Sequence, residues 1–335
     1  MKLSFHCLGM ISILAMTICS YVQGLSARRL NESAPIPPPG RLIDIGGRRL
    51  HLNCTGRGTP AIIAENGMAA FSTDWALVQP EASRLSQFCS YDRVGYAWSD
   101  DGPADLVDQT TDDLRTLLRS AGVNPPYVLI GASIGGLYVR AYQRRFPDEV
   151  VGLVLDDASS GQILSFRIDE KDKALADISA NELRTMFETL NRKPPVPRPL
   201  PTEIEEPADR LPKEAQLARL WALRKFLGNS AMLPSFLSAE SWREEFVALR
   251  AQSLDGHPLG SLPLIVLTRG LNTDDRRKEV AAAFAALSRS GKLVTADRSD
   301  HEIHLYRPDL VISALEEVVK AARSGTPKPK SGRGK

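Results

Sequence analysis

The sequence predicts an α/β protein with a mostly parallel central sheet, helices on both faces and a helical insertion between two halves of the sheet. Short apolar runs alternate with segments of helical spacing along most of the chain. The central runs are apolar at nearly every position, which is typical of parallel strands covered on both faces. Between about residues 161 and 260 these runs stop and only helical patterns remain.

The chain has 335 residues, of which 43% are hydrophobic, so it can build a large core. We assign the first half of the α/β core to 41–160, a helical cap to 161–260 and the second half of the core to 261–323. A proline-rich linker over 28–40 precedes the core, and a basic tail over 324–335, rich in Pro, Gly and Lys, is predicted to be disordered.

Residues 1–27 are predicted to form a signal peptide. Lys2 provides a positive start, an apolar stretch runs from about Leu8 to Ile18, and small residues follow at Gly24 and Ala27. The apolar stretch is short for a membrane span. We therefore expect an exported protein, periplasmic or extracellular, that has no stable membrane span after cleavage.

The elements of the core follow in a simple order. The segment "RLIDIGGRRLHLNCTG" predicts a hairpin, and "AIIAENG" a buried strand. A helix over "STDWALVQPEASRLS" should kink at Pro80, and the strand "FCSYDRVGYAW" follows. Further strands are predicted at "YVLIG", "VVGLVLDDAS", "LPLIVLTRG" and "KLVTADRSDH", each separated from the next by helical segments.

Composition excludes several function classes. The net charge is +2, and no basic stripe of the kind that binds nucleic acid runs through the predicted folded region. Neither a metal-ligand histidine cluster nor a phosphate-binding glycine loop is present. We therefore predict no metal and no cofactor, and a small molecule as the partner. The sequence does not determine the oligomeric state.

The segment "VLIGASIGGLYVRAYQRRFP" carries the chemistry. Gly131 to Gly135 fit the pattern G-x-S-x-G, directly after a strand and directly before a helix. In that setting the chain turns so sharply that only small residues fit around the serine, whose oxygen is displayed at the helix N-terminus. Ser133 is therefore the candidate nucleophile.

A serine nucleophile needs a base. His301 follows a predicted strand and precedes the last helix, so the sheet should deliver it to the same edge as Ser133. His51 lies within a strand, His257 lies in a loop, and His304 has neighbours that suggest packing. We predict His301 as the base.

The third member should be a carboxylate that orients the imidazole. Asp157 ends one strand and Asp274 lies in the loop after a later strand, and both preserve the order serine, acid, histidine. The residues alone favour Asp157 only slightly. For the oxyanion, the backbone N–H after the serine, that of Ile134, and that of Met68 in the turn after "AIIAENG" are the candidate donors.

These residues resemble the α/β-hydrolase superfamily, over about 35–160 and 260–323. Within it the chain resembles secreted bacterial hydrolases through "YDRVGYAWSD" (91–100), "GASIGGLYVRAY" and "DHEIHLYRPDLV". The resemblance implies the α/β-hydrolase fold, a nucleophile at Ser133 and a base at His301, and it favours Asp157 as the acid. Two positions depart from the pattern: Asn66 stands where many relatives have histidine, and Asp300 where glycine usually precedes the base.

The resemblance also predicts a disulfide. In this fold the second strand pairs antiparallel with the fourth, and Cys54 ends the second strand while Cys89 begins the fourth. The two remain after the signal peptide is removed, and exported proteins commonly form such bonds. We therefore predict a Cys54–Cys89 bond.

The sequence thus predicts an exported serine hydrolase that cleaves a carboxylic ester through an acyl-enzyme. An amidase, a lactonase or an acyltransferase would use the same triad. A non-catalytic binding protein that keeps the fold is the alternative from another class, because a fold does not by itself prove activity.

Overall fold

The computed structural model describes residues 36–102, 106–168, 171–191, 200–228, 236–253 and 256–325. The predicted signal peptide and most of the linker lie outside these ranges, and so do residues 326–335 of the predicted tail. The last helix continues to Gly325, so the first two residues of that tail are helical. No helix in the described ranges is both long and apolar enough to cross a bilayer.

Eight strands form one sheet in the order β1-β2-β4-β3-β5-β6-β9-β10, and two more form a separate hairpin in the described part of the chain. The strands are β1 Arg41–Asp44, β2 Arg49–Thr55, β3 Ala61–Glu65, β4 Phe88–Tyr91, β5 Tyr127–Ala132, β6 Val150–Asp156, β7 Ser165–Ile168, β8 Lys171–Ala174, β9 Leu264–Arg269 and β10 Gly291–Ala296. β2 runs antiparallel to β1 and β4, and the pairs from β4 to β10 are parallel.

Helices cover both faces of the sheet and build the insertion. They are α1 Gln79–Leu85, α2 Val107–Ser120, α3 Gly135–Arg145, α4 Ala180–Asn191, α5 Lys213–Gly228, α6 Phe236–Ser253, α7 Asp275–Ala285, α8 Ile303–Tyr306 and α9 Pro308–Gly325. A 3₁₀ helix over Ser72–Leu77 precedes α1. The predicted kink is thus a break at Val78, and Pro80 lies in the first turn of α1, where its missing N–H costs no hydrogen bond.

The alternation of side chains along the central strands explains why they are apolar throughout. In β5, Leu129 packs in the core under α2, α3 and α7, whereas Val128 and Ile130 pack in the core under α1 and α9. Successive residues of a strand point to opposite faces, so a strand covered on both faces must be apolar at every position. The predicted arrangement of the sheet is confirmed on this point.

The first hairpin and the disulfide are also as predicted. Gly46 and Gly47 adopt positive φ angles of 99° and 101° between β1 and β2, a conformation that glycine adopts readily. Cys54 lies directly opposite Cys89 in the antiparallel β2–β4 pair, and their sulfur atoms are bonded. The register of the two strands brings the thiols together.

The insertion differs from the prediction in one respect. It is not purely helical, because β7 and β8 form a two-stranded antiparallel hairpin at its start. The sequence gives little indication of this hairpin, since β8 reads Lys171-Asp172-Lys173-Ala174 and has no apolar alternation. α4, α5 and α6 follow the hairpin and supply the helices that the pattern predicts.

Candidate active site

The turn between β5 and α3 displays Ser133. Its backbone lies in the left-handed region, with φ of 54°, which is strained for a residue that carries a side chain. A Cβ atom at Gly131 would lie 2.5 Å from the carbonyl oxygen of Gly135, and one at Gly135 would lie 2.6 Å from that of Glu65. Both flanking positions therefore require glycine, and the serine N–H is held by the carbonyl of Asp156 at 3.0 Å.

A continuous hydrogen-bonded chain joins Ser133, His301 and Asp157. The Nε2 atom of His301 lies 2.8 Å from the Ser133 Oγ atom, and its Nδ1 atom lies 2.6 Å from the Oδ2 atom of Asp157. Each residue directly follows a parallel strand or lies in the loop after one, so the sheet delivers all three to its carboxyl edge. An imidazole placed this way can take a proton from the hydroxyl while the carboxylate fixes its tautomer.

The Asp157 side chain is only 7% exposed. Burial opposes the negative charge, but the His301 hydrogen bond and the Arg269 guanidinium outweigh it and hold the pKa of Asp157 well below its usual range. Arg269 donates from Nε at 2.8 Å and from Nη2 at 2.6 Å to Oδ2, and its backbone N–H donates to Oδ1 at 3.2 Å. Sequence reasoning missed Arg269, because its role depends on a contact between the ends of two strands.

The competing acid, Asp274, has another position. Its side chain accepts the backbone N–H of Arg277 at 2.8 Å and so caps the N-terminus of α7. The structure therefore brings Asp157, and not Asp274, to His301.

The other histidines in the described ranges make structural contacts. His51 is fully buried with Nδ1 2.7 Å from Asp92, and His257 bonds the carbonyl of Ala286 at 2.6 Å. His304 places Nδ1 2.7 Å from Asp156. Burial disfavours its charge, yet the hydrogen bond to Asp156 and nearby carboxylates raise the pKa of His304 overall.

The loop after β3 passes close to the serine. A Cβ atom on Gly67 would lie 3.3 Å from the Ser133 Cβ atom. Among the described residues, neither the backbone N–H of Met68 nor that of Ile134 donates a hydrogen bond. The two N–H groups that the sequence suggests as oxyanion donors are thus not engaged by the described part of the protein.

Arg93, from the "YDRVGYAWSD" segment, holds the loop after β3 through hydrogen bonds to its backbone. It is buried and donates from Nη1 to the Asn66 carbonyl at 2.7 Å and from Nη2 to the Gly67 carbonyl at 2.9 Å. It also pairs with Glu65 at 2.6 Å. The sequence marks this segment through the superfamily resemblance, but it does not predict this role of the arginine.

Asn66, one of the two departures from the superfamily pattern, is also part of the scaffold. Its side-chain amide donates to the carbonyl of Tyr91 at 2.9 Å and accepts the indole N–H of Trp75 at 2.7 Å. Both of its polar ends are therefore satisfied within the core.

The cap packs on the helix that follows the serine. Ile134, Leu137 and Tyr138 form one apolar cluster with buried side chains of the insertion: Phe166, Leu175, Ile178, Leu183, Phe187, Ala239, Trp242, Phe246 and Leu249. The indole N–H of Trp242 donates to the Tyr138 hydroxyl at 2.9 Å. No group of His, Cys, Asp and Glu side chains suited to a metal ion occurs within the described part of the chain.

Fold and site together define a scaffold of the hydrolase type. The chain belongs to the alpha/beta hydrolase family, whose model matches residues 62–314. This confirms the predicted fold.

Curated relatives share limited identity. The chain is 23% identical to the uncharacterized protein YbdG of Bacillus subtilis over 42% of its own length and 45% of YbdG. It therefore spans less than half of that relative. The chain is also 32% identical to a probable transporter, efuK, of Hormonema carpetanum, over 36% of this chain and 18% of efuK. An AB hydrolase superfamily protein of Gibberella zeae is 24% identical over 79% of this chain and 87% of its own.

Solved structures share the fold. A thermophilic esterase from Thermogutta terrifontis superposes with a TM-score of 0.58 at 21% identity, over 82% of this chain and 94% of its own. Est816, described as an N-acyl homoserine lactone degrading enzyme, gives 0.57 at 14% identity, over 83% and 100%. At these identities the likeness concerns the fold.

Proposed function

We propose that this protein is an exported serine hydrolase that cleaves a carboxylic ester. The observation that carries the proposal is the chain of hydrogen bonds from Ser133 through His301 to Asp157, at 2.8 and 2.6 Å. Membership of the alpha/beta hydrolase family supports it, since that family supplies the strand-turn-helix setting of the serine.

The reaction proceeds in two halves. His301 takes the proton of the Ser133 hydroxyl as its oxygen attacks the ester carbonyl carbon, and the carbonyl oxygen becomes an oxyanion between the N–H groups of Ile134 and Met68. The C–O bond to the alcohol then breaks, and the imidazolium returns its proton to the leaving oxygen. In the second half water attacks the acyl-enzyme with His301 again as base, which releases the carboxylic acid and restores the serine.

The charge on Asp157 suits this cycle. Because its pKa is held low, Asp157 remains a carboxylate and stabilises the imidazolium that forms in each half. The strained turn at Ser133 supports the proposal independently, because strain of this kind is retained where a side chain must be displayed.

A fluorophosphonate probe tests the proposal without knowledge of the substrate. We expect it to label the wild-type protein and to leave Ser133→Ala unlabelled, with both proteins showing the same melting temperature. Absence of labelling of a folded wild-type protein across about pH 6 to 9 would instead favour the non-catalytic binding protein. A panel of short and long p-nitrophenyl esters, with a lactone and an anilide, would then separate esterase from lactonase and amidase.

The proposed export rests on the sequence of residues 1–27 and is supported by the Cys54–Cys89 bond, which is typical of oxidising compartments. Expression of the full chain in a bacterial host, followed by fractionation and mass measurement, tests it. Export predicts a product shortened at the N-terminus by about 24 to 27 residues outside the cytoplasm. A full-length product confined to the cytoplasm would contradict it.

A further inference from the structure

Arg269 links the candidate acid to Asp300, the residue that departs from the superfamily pattern. Its Nε and Nη2 atoms donate to Oδ2 of Asp157, and its Nη1 atom donates to Oδ1 of Asp300 at 2.8 Å. The arginine side chain is only 6% exposed. All of its guanidinium nitrogens are therefore engaged at the edge of the sheet where the histidine loop lies.

Three hydrogen bonds hold Asp300, although its side chain is 30% exposed. Its Oδ1 atom also accepts the backbone N–H of His301 at 2.8 Å, and its Oδ2 atom accepts the side-chain amide of Asn272 at 2.5 Å. The carboxylate thus fixes the main chain of the histidine loop while it balances the charge of Arg269. A glycine at this position would supply neither contact.

The position of Arg269 has an electrostatic consequence for the base. The Oδ2 atom of Asp157 accepts the imidazole Nδ1–H of His301 and both arginine donors at once. A cation on that oxygen weakens the attraction between Asp157 and a protonated imidazole. Asp300 offsets part of this cation's field, so the two residues act on the base in opposite directions.

We propose that Arg269 and Asp300 form a charge-balanced positioning pair that sets the pH at which His301 accepts the Ser133 proton. The inference rests on the proposed function and assigns no direct contact with substrate to either residue. Arg269 orients the Asp157 carboxylate and weakens the electrostatic attraction between that carboxylate and the protonated imidazole of His301. Asp300 compensates the arginine and holds the loop that carries the histidine.

Other charged groups around the histidine come from several elements. Arg277 of α7 interacts with Arg269, Asp157 and Asp300, and Glu302 follows the histidine in its own loop. Tyr306 interacts with Asp300 and with Glu206 and Arg210 of the insertion. Asp274 caps the N-terminus of α7, and Asp156 and His304 form a buried pair. None of these would change in the variants that test the pair.

The test measures the rate of inactivation by a fluorophosphonate from about pH 5 to about pH 9, because its acid limb reports protonation of the base. With Arg269→Met, we expect the acid limb to move to higher pH by about 0.5 to 1 unit. With Asp300→Asn, whose one oxygen can still accept from Arg269 and from the His301 N–H but which loses the acceptor for Asn272, we expect a shift of similar size to lower pH. The double variant should return to within about 0.3 unit of wild type.

Arg269→Lys separates charge from geometry. Lysine keeps the cation but cannot supply the arginine fork, so the plateau rate should fall while the acid limb stays near that of wild type. This variant and Asp300→Asn also keep the test decisive if Arg269→Met fails to fold. The matched control is Asp275→Asn, which removes the same charge from an exposed side chain paired with Lys278 at 3.2 Å. Its profile should match that of wild type.

The experiment distinguishes failure of the positioning-pair inference from failure of the proposed function. If wild type reacts with the probe, Ser133→Ala does not, and the single variants shift in the same direction or not at all, the inference is wrong and the proposed function stands. If wild type does not react at any pH, the proposed function itself fails.

Discussion

The Nε2 atom of His301 lies 2.8 Å from the Oγ atom of Ser133, although 168 positions separate the two residues in the chain. The contact exists because β5 and β10 are parallel members of one sheet, so the segments that follow them lie at the same edge. The hydroxyl and the imidazole are therefore in place before any substrate binds, which would remove an ordering cost from the proposed reaction.

The identity of the acid gives the first prediction. Asp157→Asn should lower the rate of fluorophosphonate inactivation by about 10³- to 10⁴-fold, because an amide neither fixes the required tautomer nor stabilises the imidazolium. Asp274→Asn should retain the wild-type rate, since Asn caps a helix as well as Asp does. A large loss in Asp274→Asn with full activity in Asp157→Asn would reverse the assignment.

Arg93 gives the second prediction, which concerns the loop after β3 that carries Met68, a proposed oxyanion donor. Arg93→Lys keeps a charge opposite Glu65 but cannot reach the carbonyls of both Asn66 and Gly67. The loop should then hold its N–H donor less well. We expect the inactivation rate to fall about tenfold or more, which is less than the roughly 10²- to 10³-fold loss when an oxyanion donor is removed outright.

Arg93→Met separates stability from positioning. It leaves Glu65 buried without this cation and should lower the free energy of unfolding by about 3–5 kcal/mol. Adding Glu65→Gln should recover part of that stability but not the rate. Arg84→Lys, on an exposed ion pair with Glu81, is the control and should change neither the free energy of unfolding nor the inactivation rate. Full inactivation rates in both Arg93 variants would show that the loop needs no such support.

The disulfide gives the third prediction. The bond closes a loop with a sequence separation of 35, and chain entropy alone makes its loss worth about 3–4 kcal/mol of unfolding free energy. In urea, reductant should lower the unfolding midpoint of wild type. The variant with both Cys54→Ala and Cys89→Ala should already have a low midpoint and should not respond. Alkylation of either cysteine in the native protein without reductant would contradict the bond.

The sequence reveals the parts of the site that depend on chain order. The sequence indicates Ser133 because its turn needs small residues at fixed spacing, and His301 because it follows the last predicted strand. Arg269 and Arg93 could not be assigned roles in the same way. Each acts by reaching from one strand end to the backbone or carboxylate of another, and no periodicity encodes such a reach.

The choice between Asp157 and Asp274 shows the same limit. Both residues follow strands and both suit the order serine, acid, histidine. They differ in the groups that contact each carboxylate in the folded protein. Asp274 starts a helix and its side chain is used by the first turn, whereas Asp157 meets an imidazole and a guanidinium. Spacing alone leaves the two acids nearly even, because the deciding partners come from distant segments.

The buried pair of His304 and Asp156 gives the last prediction. Asp74 and Glu302 add negative charge around this imidazole, and together these groups raise its pKa against the opposing effect of burial. A base whose pKa is higher in the folded state than in the unfolded state stabilises the fold when it is protonated. That contribution is complete below the unfolded pKa of about 6.5 and is lost as the pH rises through the folded value.

His304→Asn keeps a donor for Asp156 but cannot titrate. The difference in unfolding free energy between wild type and this variant should therefore be larger at about pH 5.5 than at about pH 8.5. Urea unfolding at the two pH values measures it. His257→Asn is the control, because that exposed histidine contacts a backbone carbonyl and no carboxylate. If the gap between wild type and His304→Asn is the same at both pH values, or grows with pH, the buried imidazole does not stabilise the fold through its charge.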